Sequence, residues 1–81
     1  MDFIEIGPTT DLIPGELYAD TNRTFLSKDD TIMRCHSVTE TEVFFDKIEW
    51  NGSAGYEADE KGLYTFDRLH TGFWLHVRKE E

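Results

Sequence analysis

The sequence contains little cysteine and no long apolar segment. Its single cysteine, Cys35, excludes an intrachain disulfide, whereas small domains from oxidising compartments usually carry several cysteines. The longest apolar runs are short clusters such as Val43-Phe44-Phe45, far below the roughly 18 residues of a membrane span. Residues 1–5 lack the basic and apolar regions of a signal peptide. The sequence therefore predicts a soluble, cytoplasmic protein with no membrane partner.

Basic residues are also scarce. Eight Lys and Arg stand against 17 Asp and Glu, which gives a net charge of −9. DNA, RNA and anionic membranes attract clusters of Lys and Arg, so this balance argues against all three as direct partners. Surplus negative charge instead favours the basic surface of another protein and fast, electrostatically steered association.

Aromatic residues, in contrast, make up 14% of the 81 residues. Each buried ring removes about 150–250 Å² from water, and disordered acidic chains are poor in such residues. A chain of this length has room for one core. We therefore expect one folded domain spanning residues 1–81.

Short apolar and β-branched stretches separated by turn residues predict a series of strands. In the strongest of them, alternation puts Phe44, Ile48 and Trp50 on one face and Val43 and Phe45 on the other. A Pro14-Gly15 turn signal precedes the first predicted strand. The predicted strands cover residues 16–20, 31–38, 43–50, 63–66 and 73–78.

The connections are predicted from their turn chemistry. Residues 39–42 form a hairpin connection, and residues 52–62 form one long loop with a single helical turn at 57–61. Residues 67–71 form a tight helical turn closed by Gly72, and a helix over 64–71 is the alternative.

This order of elements predicts an all-β fold with one short helical turn, arranged as a small antiparallel barrel or curled sheet. The segments 14–18 (PGELY) and 62–69 (GLYTFDRL) resemble parts of small SH3-like barrels, including short proteins encoded by bacteriophages. The resemblance implies a barrel-like shape and no particular activity, because such barrels serve many functions.

No motif predicts an enzyme, a cofactor or a metal site. Cys35, His36, His70 and His76 lack the closely spaced pairs of a zinc site. We expect Cys35 to be a buried, unreactive thiol, because it lies on a predicted strand in acidic surroundings. The Gly-rich segment 52–55 lacks the Lys and Ser/Thr of a phosphate-binding loop.

Two classes of function remain, and the first is an acidic decoy. Such a protein inhibits or regulates a partner by placing carboxylates where nucleic-acid phosphates would lie, as a phage-encoded inhibitor of a host nucleic-acid-binding or defence protein would do. Alternate strand residues recur about every 6.5–7 Å, a spacing that Glu40 and Glu42 have. Acidic clusters on predicted loops add Asp29, Asp30, Glu57, Asp59 and Glu60. The simpler interpretation is a solubilising surface, which the interspersed basic residues favour.

The second class is an SH3-like adaptor or dimerisation module. Trp50 and Tyr56 are its candidate anchors, because Trp and Tyr dominate interface hot spots, although both also fit a core. Trp74, between Phe73 and Leu75, is a further candidate for an outward-facing ring, and the core is the more usual place for it. An open sheet edge offers a further route by pairing with a partner strand or with a second copy in a homodimer.

Overall fold

A computed structural model describes residues 2–80 as one antiparallel sheet of six strands. Along the sheet their order is β1-β6-β2-β3-β4-β5. The outer strands β1 and β5 do not pair with each other in this part of the chain, so the sheet stays open. The all-β prediction is confirmed. The strands are β1 (Phe3–Thr9), β2 (Leu17–Ala19), β3 (Ile32–Val38), β4 (Glu42–Trp50), β5 (Tyr64–Asp67) and β6 (Trp74–Lys79).

The five predicted strands correspond to β2–β6, whereas β1 was not predicted. Gly7 and Pro8 disfavour a strand, yet β1 tolerates them because it lies at the sheet edge and pairs only with β6. Its register shifts by one residue between Glu5 and Gly7, which leaves Ile6 as a bulge.

The predicted helical turns are tight turns in the structure, and the alternative helix over 64–71 is wrong. Residues 64–67 form β5, and two hydrogen bonds then shape the turn that follows. The amide of His70 donates to the carbonyl of Asp67, and the amide of Gly72 donates to the carbonyl of Leu69 (both 3.0 Å). Gly72 has φ +82°, a conformation that favours glycine.

Strict alternation in β4 is also wrong, because two residues bulge out of its pairing with β3. The register skips Asp46 and Glu49, and each bulge moves the following side chain to the other face. Val43, Phe45 and Ile48 therefore pack in the same core, although Val43 and Ile48 differ in parity.

Apolar side chains cover both faces of the sheet. The larger core contains Tyr18 and Trp74, while Ala19 and Leu75, the next residues on the same two strands, belong to a second core. Successive strand residues point to opposite faces, so the two cores lie on opposite sides. Of the two positions considered for Trp74, the outward one is wrong, because its side chain is fully buried in the core.

Loops cover these faces, since no helix occurs within residues 2–80. Leu26, in the loop after β2, packs on the second core, and Tyr56, in the loop after β4, packs on the first. The two loops also bind each other: the amide of Ser53 donates to the carbonyl of Asp29 (2.9 Å). At Gly52, a Cβ atom would lie 2.2 Å from the Asp29 carbonyl oxygen, so only glycine fits there.

We predict that Gly52→Ala lowers the free energy of unfolding by about 1–3 kcal/mol, because the added methyl group must displace backbone atoms. Gly55→Ala, in the same loop, is the matched control, since nothing lies within 4 Å of its added Cβ. Urea denaturation of the two variants measures the difference. Equal stability of the two would show that the loops are not packed as described.

Candidate functional site

The residues predicted to contact a partner fall into two separate groups in the structure. Glu40 and Glu42 lie at the hairpin that joins β3 to β4. The remaining predicted residues lie within or beside the loops that follow β2 and β4: Asp29, Asp30, Trp50, Tyr56, Glu57, Asp59 and Glu60. The predicted set is therefore not one surface.

The two predicted aromatic anchors are engaged within the fold. The Trp50 ring packs edge-on against Phe3 at a centroid distance of 6.3 Å, and its indole N–H donates to the carbonyl of Lys28 (3.0 Å). The Tyr56 ring packs edge-on against Phe66 at 5.2 Å. Both rings are partly buried, so neither is presented as a free anchor.

The Asp20 carboxylate joins three segments of the chain. It accepts a hydrogen bond from the hydroxyl of Tyr56 in the loop after β4, and it lies 3.4 Å from Nε2 of His70 in the turn before β6. Burial raises the pKa of Asp20, and the nearby His70 opposes that rise. Asp20 thus holds both connections against the end of β2 and has a structural role.

Asp30 also has a structural role, and the expectation that it lies exposed is wrong. The residue is 7% exposed, and its carboxylate accepts hydrogen bonds from the Arg23 guanidinium (2.6 Å) and the Ser27 amide (2.9 Å). Asp29 is exposed, as expected, and its carbonyl accepts the hydrogen bond from Ser53.

The acidic segment of the long loop is divided in the same way. The carboxylate of Asp59 accepts hydrogen bonds from the amides of Leu63 (3.0 Å) and Lys61 (2.8 Å), which lower the pKa of Asp59 and fix the turn before β5. Glu57 and Glu60 are exposed on either side of Asp59.

At the hairpin, Glu40 stands in the turn and Glu42 begins β4. The turn is closed by two hydrogen bonds: the amide of Thr39 donates to the carbonyl of Glu42 (2.8 Å), and the amide of Glu42 donates to Oγ1 of Thr39 (3.0 Å). Because Glu40 is outside the strand, the regular row of carboxylates expected from strand spacing does not form here.

A different neighbour faces Glu42. In the register of β4 with β5, Glu42 is directly opposite Asp67, and both side chains are exposed. Directly opposed strand residues have Cβ atoms about 4.5–5.5 Å apart, and like charges in such pairs are destabilising. Asp67 was not among the predicted site residues, because only the strand register brings it to Glu42.

The turn after β5 lies against the hairpin and forms a groove with it. The amide of Arg68 donates to the carbonyl of Thr41 (3.0 Å), and Leu69 is 62% exposed. Two adjoining depressions, of about 360 and 250 Å³, share Glu40, Arg68 and Leu69 in their walls. We call this region the hairpin-tip surface and define it by Thr10, Glu40, Glu42, Asp67, Arg68 and Leu69.

Ion pairs with Lys and Arg lie away from this surface within residues 2–80. Four of the eight basic residues form them: Arg23 with Asp30, Arg34 with Asp46 at 2.9 Å, and both Lys47 and Lys79 with Glu49. The hydrogen bond from Arg34 lowers the pKa of Asp46. Basic side chains thus neutralise carboxylates within the fold, while Glu40, Glu42 and Asp67 form no ion pair with any described residue.

The described residues were also compared with the requirements of a metal site, a reactive cysteine and a membrane-spanning helix. Within 2–80, no three or more His, Cys, Asp or Glu side chains are grouped closely enough to hold a metal ion. Cys35 is buried, and burial raises the pKa of its thiol to about 11. None of the residues from 2 to 80 belongs to a helix with the length and apolarity needed to cross a bilayer.

The chain matches no family model, no curated protein and no solved structure. The candidate site consequently rests on the geometry of this chain.

Sequence reasoning placed Glu40 and Glu42 in it but missed Thr10, Asp67, Arg68 and Leu69. A tight turn ending at Gly72 was the available signal, because such a turn exposes the apolar residue at its tip.

We predict that Cys35 reacts very slowly with a thiol reagent in the native protein, because a thiol with a pKa of about 11 is ionised in about one molecule in a thousand at pH 8. Absorbance at pH 8 with an aromatic disulfide reagent measures the rate. Reaction in urea should be rapid and serves as the control. Native and unfolded protein reacting at the same rate would contradict the burial of Cys35.

Proposed function

We propose that this domain binds the basic surface of another protein through its carboxylates, inhibits or regulates that partner, and performs no chemistry itself. The observation that carries the proposal is an excess of carboxylates at the hairpin-tip surface, where three of them accompany one cation, Arg68, and form no ion pair with any described residue. Glu40, Glu42 and Asp67 are close together there, and two of them oppose each other across a strand pair.

The charge balance supports the same partner. A net charge of −9 repels nucleic acids and anionic membranes and attracts basic proteins, whose association it accelerates at low salt. Because the basic residues that form ion pairs do so with Asp30, Asp46 and Glu49, the excess negative charge is carried by other carboxylates, including those at the hairpin tip.

In its most specific form the proposal is an acidic decoy for a nucleic-acid-binding or defence protein. The Lys and Arg residues that such a protein uses to neutralise phosphates would instead contact the exposed carboxylates. A phage-encoded inhibitor in the host cytoplasm is the case suggested by the resemblance of segments 14–18 and 62–69 to phage SH3-like barrels.

A second candidate function, a dimerisation or adaptor module, is favoured by the outer edge of β1. This edge has no partner strand within residues 2–80 and exposes Ile4 and Ile6 (39% and 54%). Pro8 and the bulge at Ile6 weaken it as a pairing edge. Exposed aromatic anchors have lost support, since Trp50 and Tyr56 are engaged internally.

We predict that capture of a partner from lysate of the source cell falls at least roughly tenfold when NaCl is raised from 50 to 500 mM, because salt screens exposed charges. Charge reversal by Glu40→Lys with Glu42→Lys should abolish capture at low salt. Quantitative mass spectrometry of the captured proteins, together with sedimentation of the free domain, provides the measurement.

The matched control is Asp2→Lys with Glu80→Lys, which changes net charge equally. These exposed residues lie at the end of β1 away from Thr10, separated from it by about 20 Å of strand. The control should retain capture. Salt-insensitive capture, or equal loss in both double variants, would contradict the proposal, and a dimeric free domain would favour the β1 edge.

A further inference from the structure

We infer that the hairpin-tip surface binds a Lys or Arg side chain between Glu42 and Asp67 and an adjacent apolar side chain against Leu69. Its ligand is therefore a peptide segment in which a basic residue adjoins an apolar one. This inference rests on the proposed function and specifies where the partner binds and which chemistry is recognised.

The position of the cation follows from the strand register. Glu42 and Asp67 are opposite each other, so their side chains leave the same face of the sheet, and both are exposed. A like-charge pair held by the backbone is unfavourable, and a cation between the two carboxylates removes that repulsion. Guanidinium and ammonium groups both suit this position, because each donates several hydrogen bonds.

The nearest basic residue of the chain does not occupy this position. Arg68 follows Asp67 directly, but its amide donates to Thr41 and its guanidinium Nη1 donates to the carbonyl of Thr39 (3.4 Å). Arg68 therefore lies along the hairpin backbone, and no ion pair joins it to Glu42 or Asp67 among the described residues. A cation from outside the chain can approach both carboxylates.

Leu69 is presented next to the carboxylates by a turn that is fixed on both sides. The amide of Gly72 donates to the Leu69 carbonyl, and the buried Trp74 indole donates to the carbonyl of Arg68 (2.9 Å). A side chain that is held outward in this way costs little further ordering when a partner covers it. An apolar residue beside the bound cation gains contact area on Leu69.

Charge decides among the possible occupants. The groove combines Leu69 with the carboxylates of Glu40 and Asp67, and Arg68 is its single cation. A second copy of a chain with net charge −9 would be repelled at this surface. A basic segment with an apolar residue complements both parts of the groove, so we assign that occupant.

The test uses the complete chain labelled with ¹⁵N and two synthetic peptides of ten residues with the same number of arginines. One peptide carries Leu beside an Arg, and the other has Ser in its place. We expect chemical shift changes at the amides of residues 40–42 and 67–69, and at least about fivefold tighter binding of the Leu peptide.

Two sets of variants separate the contributions of charge and apolar contact. Leu69→Ser should remove the preference for the Leu peptide and leave the salt dependence unchanged, whereas Ile13→Ser, at another exposed apolar residue (55%), should retain the preference. Glu42→Gln with Asp67→Asn should weaken both peptides at least about tenfold and raise the melting temperature, since it removes a like-charge pair. Glu57→Gln with Glu60→Gln is the control of equal charge.

Equal affinity for the two peptides, or shift changes centred on residues 57–60, would overturn the inference. A lower melting temperature in the Glu42→Gln, Asp67→Asn variant would overturn it as well. If the peptides bind in a salt-sensitive manner elsewhere, this site is wrong but an acidic binding function survives. The proposed function itself fails when capture of the partner is insensitive to salt, or when the hairpin variant and its charge-matched control lose capture equally.

Discussion

The structure depends on one constraint: a single sheet carries apolar side chains on both faces, and no helix is available within residues 2–80 to cover either face. Sheets with two apolar faces normally require a further layer on each side. Here the loops after β2 and β4 supply those layers. Trp50 and Tyr56 hold these loops in place through hydrogen bonds to Lys28 and Asp20. These two rings stabilise the fold and are therefore not free to contact a partner.

Covering two faces with loops also divides the carboxylates into two populations. Asp20, Asp30 and Asp59 accept hydrogen bonds that fix loops and turns, and Asp46 pairs with Arg34 at a bulge of β4. These residues are acidic for structural reasons. The carboxylates of Glu40, Glu42 and Asp67 form no such hydrogen bond or ion pair among the described residues. Glu42 and Asp67 also repel each other across the strand pair, and a cationic partner would relieve that repulsion. Residues that conflict with local stability are expected at functional sites.

The parts of the fold that the sequence predicted are those determined by local chemistry. Strands β2–β6 and the hairpin at 39–42 follow from turn residues and β-forming stretches that lie next to each other in the chain. The bulges at Asp46 and Glu49 appear only in the register of β4 with β3, and the inward position of Trp74 depends on the pairing of β6 with the distant strands β1 and β2. No local pattern reveals either. Glu40 and Glu42 were predictable from the sequence as site residues, whereas Asp67 was not, because only the register of β4 with β5 brings it to Glu42. For Leu69 the turn that ends at Gly72 was the available local signal.

Acrylamide quenching of tryptophan fluorescence tests the central claim that the loops bury the rings. Trp74→Phe isolates Trp50, and Trp50→Phe isolates Trp74, with circular dichroism confirming that each variant is folded. The account predicts that quenching of either remaining tryptophan is several-fold weaker in the native protein than in urea, since both rings pack in cores. If Trp50 is quenched as readily in the native protein as in urea, the ring is free, and recognition through aromatic contacts would replace recognition through carboxylates.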